Sequence, residues 1–151
     1  MKETLTGRVT DSIFEVMETM FYLTVEEDTR PVEDVSSLFD EKKLKACRIT
    51  FSGKFSGAIY LLVGAKTLET MAAHFTGEDP DTMTDEHLDG ALKEALNMIA
   101  GNALTKVDKQ SYMGLGIPEL VTPSDIGPSG ARVAFNTSAG KMAAVISLEQ
   151  I

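Results

Sequence analysis

The chain is poor in cysteine, in basic residues, in histidine and in long apolar runs, and each shortage removes a class of function. Cys47 is the only cysteine among 151 residues, so no internal disulfide can form and no thiolate metal site can be completed. That absence points to a reducing compartment. Cys47 sits in an apolar, alternating stretch and reads as a buried, inert thiol. Fourteen Lys and Arg stand against 23 Asp and Glu, giving a net charge of -9. Such a field repels nucleic-acid phosphates and anionic lipid surfaces, so neither nucleic acid nor membrane is expected as a partner. The opening segment MKETLTGRVTDSIFEVMETM carries charges throughout and lacks the apolar core of a signal peptide or membrane span, which reads as a cytoplasmic chain.

The two histidines do not make a metal site. His74 and His87, with Asp85, Glu86 and Asp89, fall on different predicted helices and match no H-E-x-x-H or paired i, i+4 pattern. No metal or cofactor is therefore expected on this chain. Gly127 to Gly130 is too short for a phosphate loop, and Ser111, Ser124 and Ser129 have no neighbouring His for a hydrolytic triad.

What the chain does have is the making of one folded unit. Hydrophobic residues make up 43% and charged residues 25%, the balance of a globular domain with one core, here assigned to residues 1–151. Leu5, Val9, Ile13, Phe14, Val16, Met17, Met20 and Phe21 recur at helical spacing and predict an amphipathic helix over 4–22. Residues 26–45, with Pro31, read as a charged loop or an irregular edge strand. Runs at 46–51 and 57–63 change to a period of two around Ser52-Gly-Lys-Phe-Ser56, which predicts an antiparallel hairpin. A short helix over 66–75 should stop at Gly77-Glu-Asp-Pro-Asp81, and a longer one should start at Thr84 as N-cap and run to about Lys109. Residues 114–128 read as extended and turn-rich, and 132–135 with 141–148 predict a final hairpin.

The expected order is α-β-β-α-α-β-β, and it contains a repeat. Arg48-Ile-Thr-Phe51, Gly53-Lys54 and the run from Gly57 resemble Arg132-Val-Ala-Phe135, Gly140-Lys141 and the run from Ala143. Each hairpin has a long helix upstream. The fold class is α+β, an antiparallel sheet built from two helix-plus-hairpin pseudo-repeats and covered by two long helices.

The Thr84 helix carries the candidate chemistry. On a wheel of about 100° per residue, Leu88, Leu92, Ala95, Leu96, Ile99 and Ala103 gather on one face. Gly90, Glu94, Asn97 and Gly101 form one line on the other. A glycine costs about 1 kcal/mol relative to alanine inside an exposed helix, so two of them around a Glu and an Asn ask for a reason, such as close approach of another backbone. The alternative is that the glycines mark helix ends or bends and that Glu94 and Asn97 are solvated surface.

The segment Ala91 to Thr105, ALKEALNMIAGNALT, resembles the E-x-x-N helix and following I-x-G-N step of the CheX branch of the CheC, CheX and FliY phosphatases. Glu94, Asn97, Ile99, Gly101 and Asn102 carry the match. The METMFYLTVE stretch, both hairpins and the chain length extend it over nearly the whole sequence. The resemblance implies dephosphorylation of a phosphorylated CheY-like receiver, with Asn97 orienting the attacking water and Glu94 pairing with a receiver lysine. It further implies that Gly90, Gly101 and Asn102 face the partner, that Mg2+ comes with the receiver, and that the chain is a homodimer. Two departures accompany it: Gly90 stands where members carry Asp or Ser, with Asp89 one place early, and the later family proline has two candidates, Pro118 and Pro123. A non-catalytic adaptor of the same fold, binding a response regulator or another signalling protein, is the alternative function.

Helix one holds an internal counterpart, Asp11-x-x-x-Glu15-x-x-Glu18. Glu18 stands where the Asn would be, and an ionised carboxylate can neither donate a hydrogen bond nor welcome a phosphoryl group. It reads as a degenerate second site or, equally, as an ordinary acidic surface.

Overall fold

The first apolar stripe forms helix α1, Lys2–Met20, and buries Leu5, Val9, Ile13, Val16 and Met17. The computed structural model describes residues 2–29, 44–107, 113–127 and 129–149. α1 closes with Tyr22 at φ +55 and the Leu23 N–H donating to the Met17 carbonyl at 3.0 Å. This left-handed turn satisfies a carbonyl the helix end leaves open.

The described residues form seven strands: β1 Val25–Asp28, β2 Leu44–Ser52, β3 Gly57–Gly64, β4 Gly114–Leu115, β5 Glu119–Val121, β6 Ala131–Thr137 and β7 Lys141–Leu148. They form one antiparallel sheet in the order β1-β6-β7-β3-β2-β4, with β5 also on β2. Both predicted hairpins are present. They join at the centre, where β3 and β7 pair with Ile59 opposite Ile146 and Leu61 opposite Ala144. An antiparallel pairing of equivalent strands is what a twofold between the halves requires.

The α-β-β-α-α-β-β order needs correction at three places. β1 adds an outer strand on β6, and the segment read as merely extended contributes β4 and β5 on β2. Each repeat therefore runs helix, outer strand, hairpin. The central part of the 26–45 segment and the predicted end of the long helix near Lys109 lie outside the described residues.

Helices α2, Ala65–Thr76, and α3, Asp85–Val107, share one face of the sheet with α1. α2 ends as predicted, at Gly77 with φ +76 and its N–H on the Ala73 carbonyl at 2.8 Å. The core lies between helices and sheet, where Cys47, Ile49, Leu61, Val63, Phe135 and Ile146 meet Leu68, Leu92, Leu96 and Ile99. Burial pushes the Cys47 thiol up to about 11, in keeping with an inert residue. A smaller apolar cluster of Ala46, Leu62, Ala143 and Val145 occupies the other face. Among the described residues no helix is long and apolar enough to cross a membrane.

The central seam tolerates little. A Cβ on Gly57 would overlap the Ser147 carbonyl oxygen and touch the Phe51 ring at 3.0 Å. Gly57→Ala is expected to cost about 1–3 kcal/mol, as overpacking does, read as a lower denaturant midpoint with an unchanged slope.

Candidate functional site

α3 is fixed at both ends by side chains that leave its outer face bare. At its start the Thr84 hydroxyl accepts the His87 N–H at 3.2 Å, and the Thr84 N–H donates to His87 Nδ1 at 3.3 Å. This is a reciprocal cap with histidine in the place usually held by Glu or Gln. Lys45 of β2 donates to Asp89 at 2.6 Å and pulls the first turns onto the sheet. Asp89 is thus committed inward and does not stand in for the acid that Gly90 replaces.

Gly90, Glu94 and Asn97 are exposed along one line of this helix, and Gly101 is half-buried because Leu115 of β4 reaches to 3.8 Å of a Cβ built there. The helix runs unbroken through both glycines, so neither marks an end. A Cβ at Gly90 would meet nothing within 4 Å, so packing within the chain does not require that glycine. Glu94 and Asn97 carry no side-chain hydrogen bond or ion pair among the described residues. A carboxylate and an amide, one turn apart and unengaged, stand on a strip with bare backbone at either end.

Asn102 flanks this line on the side toward α1. One residue beyond Gly101 turns it about 100° around the helix, where its Oδ1 accepts the Ser12 hydroxyl at 2.8 Å. Ser12 is fully buried among the apolar residues of α1. Its satisfaction by Asn102 locks α1 against α3, a pairing that no short-range pattern in the sequence announces.

The counterpart on α1 is likewise engaged. Glu15 accepts Lys106 of α3 at 2.8 Å, Asp11 lies 3.8 Å from Arg8, and Glu18 is exposed. Hydrogen bonding and charge from Lys106, aided by Asn102, hold the Glu15 carboxyl below its usual range. A depressed carboxylate stabilises the fold above its unfolded pKa, and that contribution is lost as pH falls through the folded value. Lys106→Met is therefore expected to narrow the gap in melting temperature from wild type as pH falls below the ordinary carboxylate range, measured as melting temperature against pH for both proteins.

Between α1 and α3 runs an open groove of about 530 Å³, lined by Val16, Thr19 and Met20 of α1 and by Met98, Gly101, Asn102 and Thr105 of α3, with the Glu15–Lys106 pair joining the two helices. On the other flank of α3, Leu115, Ile117 and Leu120 are exposed at 38%, 83% and 43%. Pro118 lies in this β4–β5 connection beside the helix, whereas Pro123 begins a 3-10 turn further on. Among the described residues no group of three or more His, Cys, Asp or Glu is placed to hold a metal ion; His74 Nδ1 instead meets the Phe21 carbonyl at 2.6 Å.

The comparisons with known proteins follow the same lines. The sequence profile of the family described as "Chemotaxis phosphatase CheX" matches residues 46–135, a span that holds most of β2, all of β3 and all of α3. No curated protein matches the chain. Among solved structures, the chemotaxis protein CheX from Vibrio vulnificus superposes with a TM-score of 0.75 at 16% identity, covering 96% of each chain. CheX in the CheX-CheY-BeF3-Mg+2 complex from Borrelia burgdorferi gives 0.69 at 13% identity, over 96% of this chain and 97% of that one. FliY from Thermotoga maritima gives 0.62 at 19%, over 97% and 89%. At these identities the likeness shows a shared fold. With the family profile spanning more than half of its length, the chain belongs to the CheX family and its setting of chemotaxis phospho-signalling.

Proposed function

We propose that this protein hydrolyses the aspartyl phosphate of a CheY-like receiver, with Asn97 orienting the attacking water and Glu94 taking a lysine of the receiver. The observation that carries the reading is the exposed, unpartnered Glu94–Asn97 pair on α3. An amide offers an acceptor to the water's proton and donors to a phosphoryl oxygen, and it brings no negative charge to the reacting centre. The water oxygen bonds to phosphorus as the bond to the aspartyl oxygen breaks, which leaves a free carboxylate on the receiver and inorganic phosphate.

Glu94 orients rather than reacts. Its carboxylate, about one turn from Asn97 on the same face, fixes the receiver by a charge-assisted contact so that the phosphoryl group lies beside the amide. Gly90 and Gly101 let the receiver approach the helix backbone, and the solved complex of a Borrelia CheX with CheY supports a receiver as partner. The receiver's own acidic pocket brings the Mg2+ that neutralises charge on the phosphoryl oxygens. The homodimer implied by the family resemblance is part of the same reading, and sedimentation measures it.

The test is phosphate release. Purified protein mixed with a phosphorylated CheY-type receiver and Mg2+ should accelerate loss of the phosphoryl group. A receiver that binds with its phosphate lifetime unchanged would make the protein an adaptor instead.

A further inference from the structure

We propose that the α1–α3 groove seats an apolar side chain of the docked receiver, and so selects which receiver this protein serves; this rests on the function proposed above. Met98 follows Asn97 directly and Gly101 is one turn further on, so both border the groove and the catalytic line at once. A receiver whose phosphoryl group lies beside Asn97 must lay the adjoining part of its surface over this opening.

The groove's chemistry defines what fits. Its lining includes the thioethers of Met20 and Met98, flexible and polarisable side chains that mould to different apolar shapes, and Met20 is 43% exposed. The one cation lining the groove, Lys106, is spent on Glu15 at 2.8 Å. Glu18 and Glu94, on the outer surfaces of the two helices, have no ion pair among the described residues. Thioethers within an acidic margin fit an apolar side chain flanked by lysine or arginine. The receiver of the proposed reaction already has to present a lysine to Glu94. The groove is open along its length, whereas small-molecule sites enclose most of their ligand's surface.

Two substitutions block or strip the groove without disturbing the core. Thr105→Leu fills it, since Thr105 lines the groove from α3 and its side chain is exposed. Met20→Ser removes one of the two thioethers at the last residue of α1. The measurement is affinity for a CheY-type receiver held in its phosphorylated form by beryllofluoride and Mg2+, with melting temperature recorded alongside. About a tenfold loss of affinity is expected for each variant, the size of effect that removal of a central interface contact gives. Melting temperatures should stay at or above the wild-type value for Thr105→Leu, because leucine favours helix over threonine. Ile117→Ser, on the other flank of α3, should bind as wild type does. Wild-type affinity in both groove variants, or a loss confined to Ile117→Ser, overturns the proposal. A wild-type protein that neither binds the receiver nor shortens its phosphate lifetime would instead overturn the function on which it rests.

Discussion

Asn97→Ala is expected to slow receiver dephosphorylation by about 100-fold or more, the cost of losing one correctly placed transition-state contact, while leaving the fold intact. Asn97 is exposed and engages no other side chain, so truncation opens no cavity and leaves no buried group unpaired. Alanine also has the higher helix propensity, by a few tenths of a kcal/mol, so the melting temperature should hold or rise slightly. Loss of turnover with undiminished stability separates a catalytic role from a folding one. Asn97→Asp sharpens the test. It preserves size and the acceptor but loses the donors and adds a charge facing the phosphoryl oxygens, so it should be as slow as the alanine variant. If Asn97→Ala retains full acceleration, the water is oriented by another group and the assignment is wrong.

That substitution repeats what the chain already carries on α1. Glu18 is the residue that the internal repeat aligns with Asn97, and Glu15, aligned with Glu94, is bonded to Lys106 at 2.8 Å. The α1 copy therefore lacks the neutral amide, and its other carboxylate is drawn into the clamp between helices. One helix of the pair has kept its outer face open, and the other helps to hold it.

The repeat itself was legible because it rests on local periods. A spacing of 3.6 residues marks α1 and α3, and a spacing of two marks the hairpins, since each element buries one face against the same core. The outer strands were barely legible: an irregular edge strand is one of two readings for residues 26–45, and β4 and β5 read only as extended chain. Val25-Glu-Glu-Asp28 has three acidic residues in a row and no apolar alternation, and it is a strand because β6 presents Thr137 to Ala134 for it to pair with. β4 and β5 are two and three residues long, too short for a period. The candidate line on α3 followed from the helical wheel alone, whereas the hydrogen bond that Asn102 accepts from Ser12 of α1 did not. Lys45 with Asp89 and Lys106 with Glu15 join residues 44 and 91 positions apart. Such pairs depend on where the sheet sets the helices, which no local pattern encodes.

Leu92→Ala should produce the opposite signature from Asn97→Ala on the same helix. Leu92 is fully buried in the main core between helices and sheet, on the face of α3 turned away from Glu94 and Asn97. Truncating a buried leucine costs about 3–5 kcal/mol through lost transfer energy and the cavity left behind. For a domain of this size that is a fall of about 10 °C in melting temperature. The outer face of α3 is held separately, by Lys45 on Asp89 and by Asn102 on Ser12, so a cavity at Leu92 need not displace Asn97. Below the lowered melting point the folded fraction should therefore dephosphorylate the receiver at nearly the wild-type rate. Unfolding and phosphate release measured on the same samples decide the matter. If activity falls steeply while the protein is still folded, the geometry of the site depends on the core beneath it, and the side-chain clamps alone do not fix it. If stability falls and activity holds, α3 is a rigid rod whose inner face supplies the fold and whose outer face supplies the chemistry.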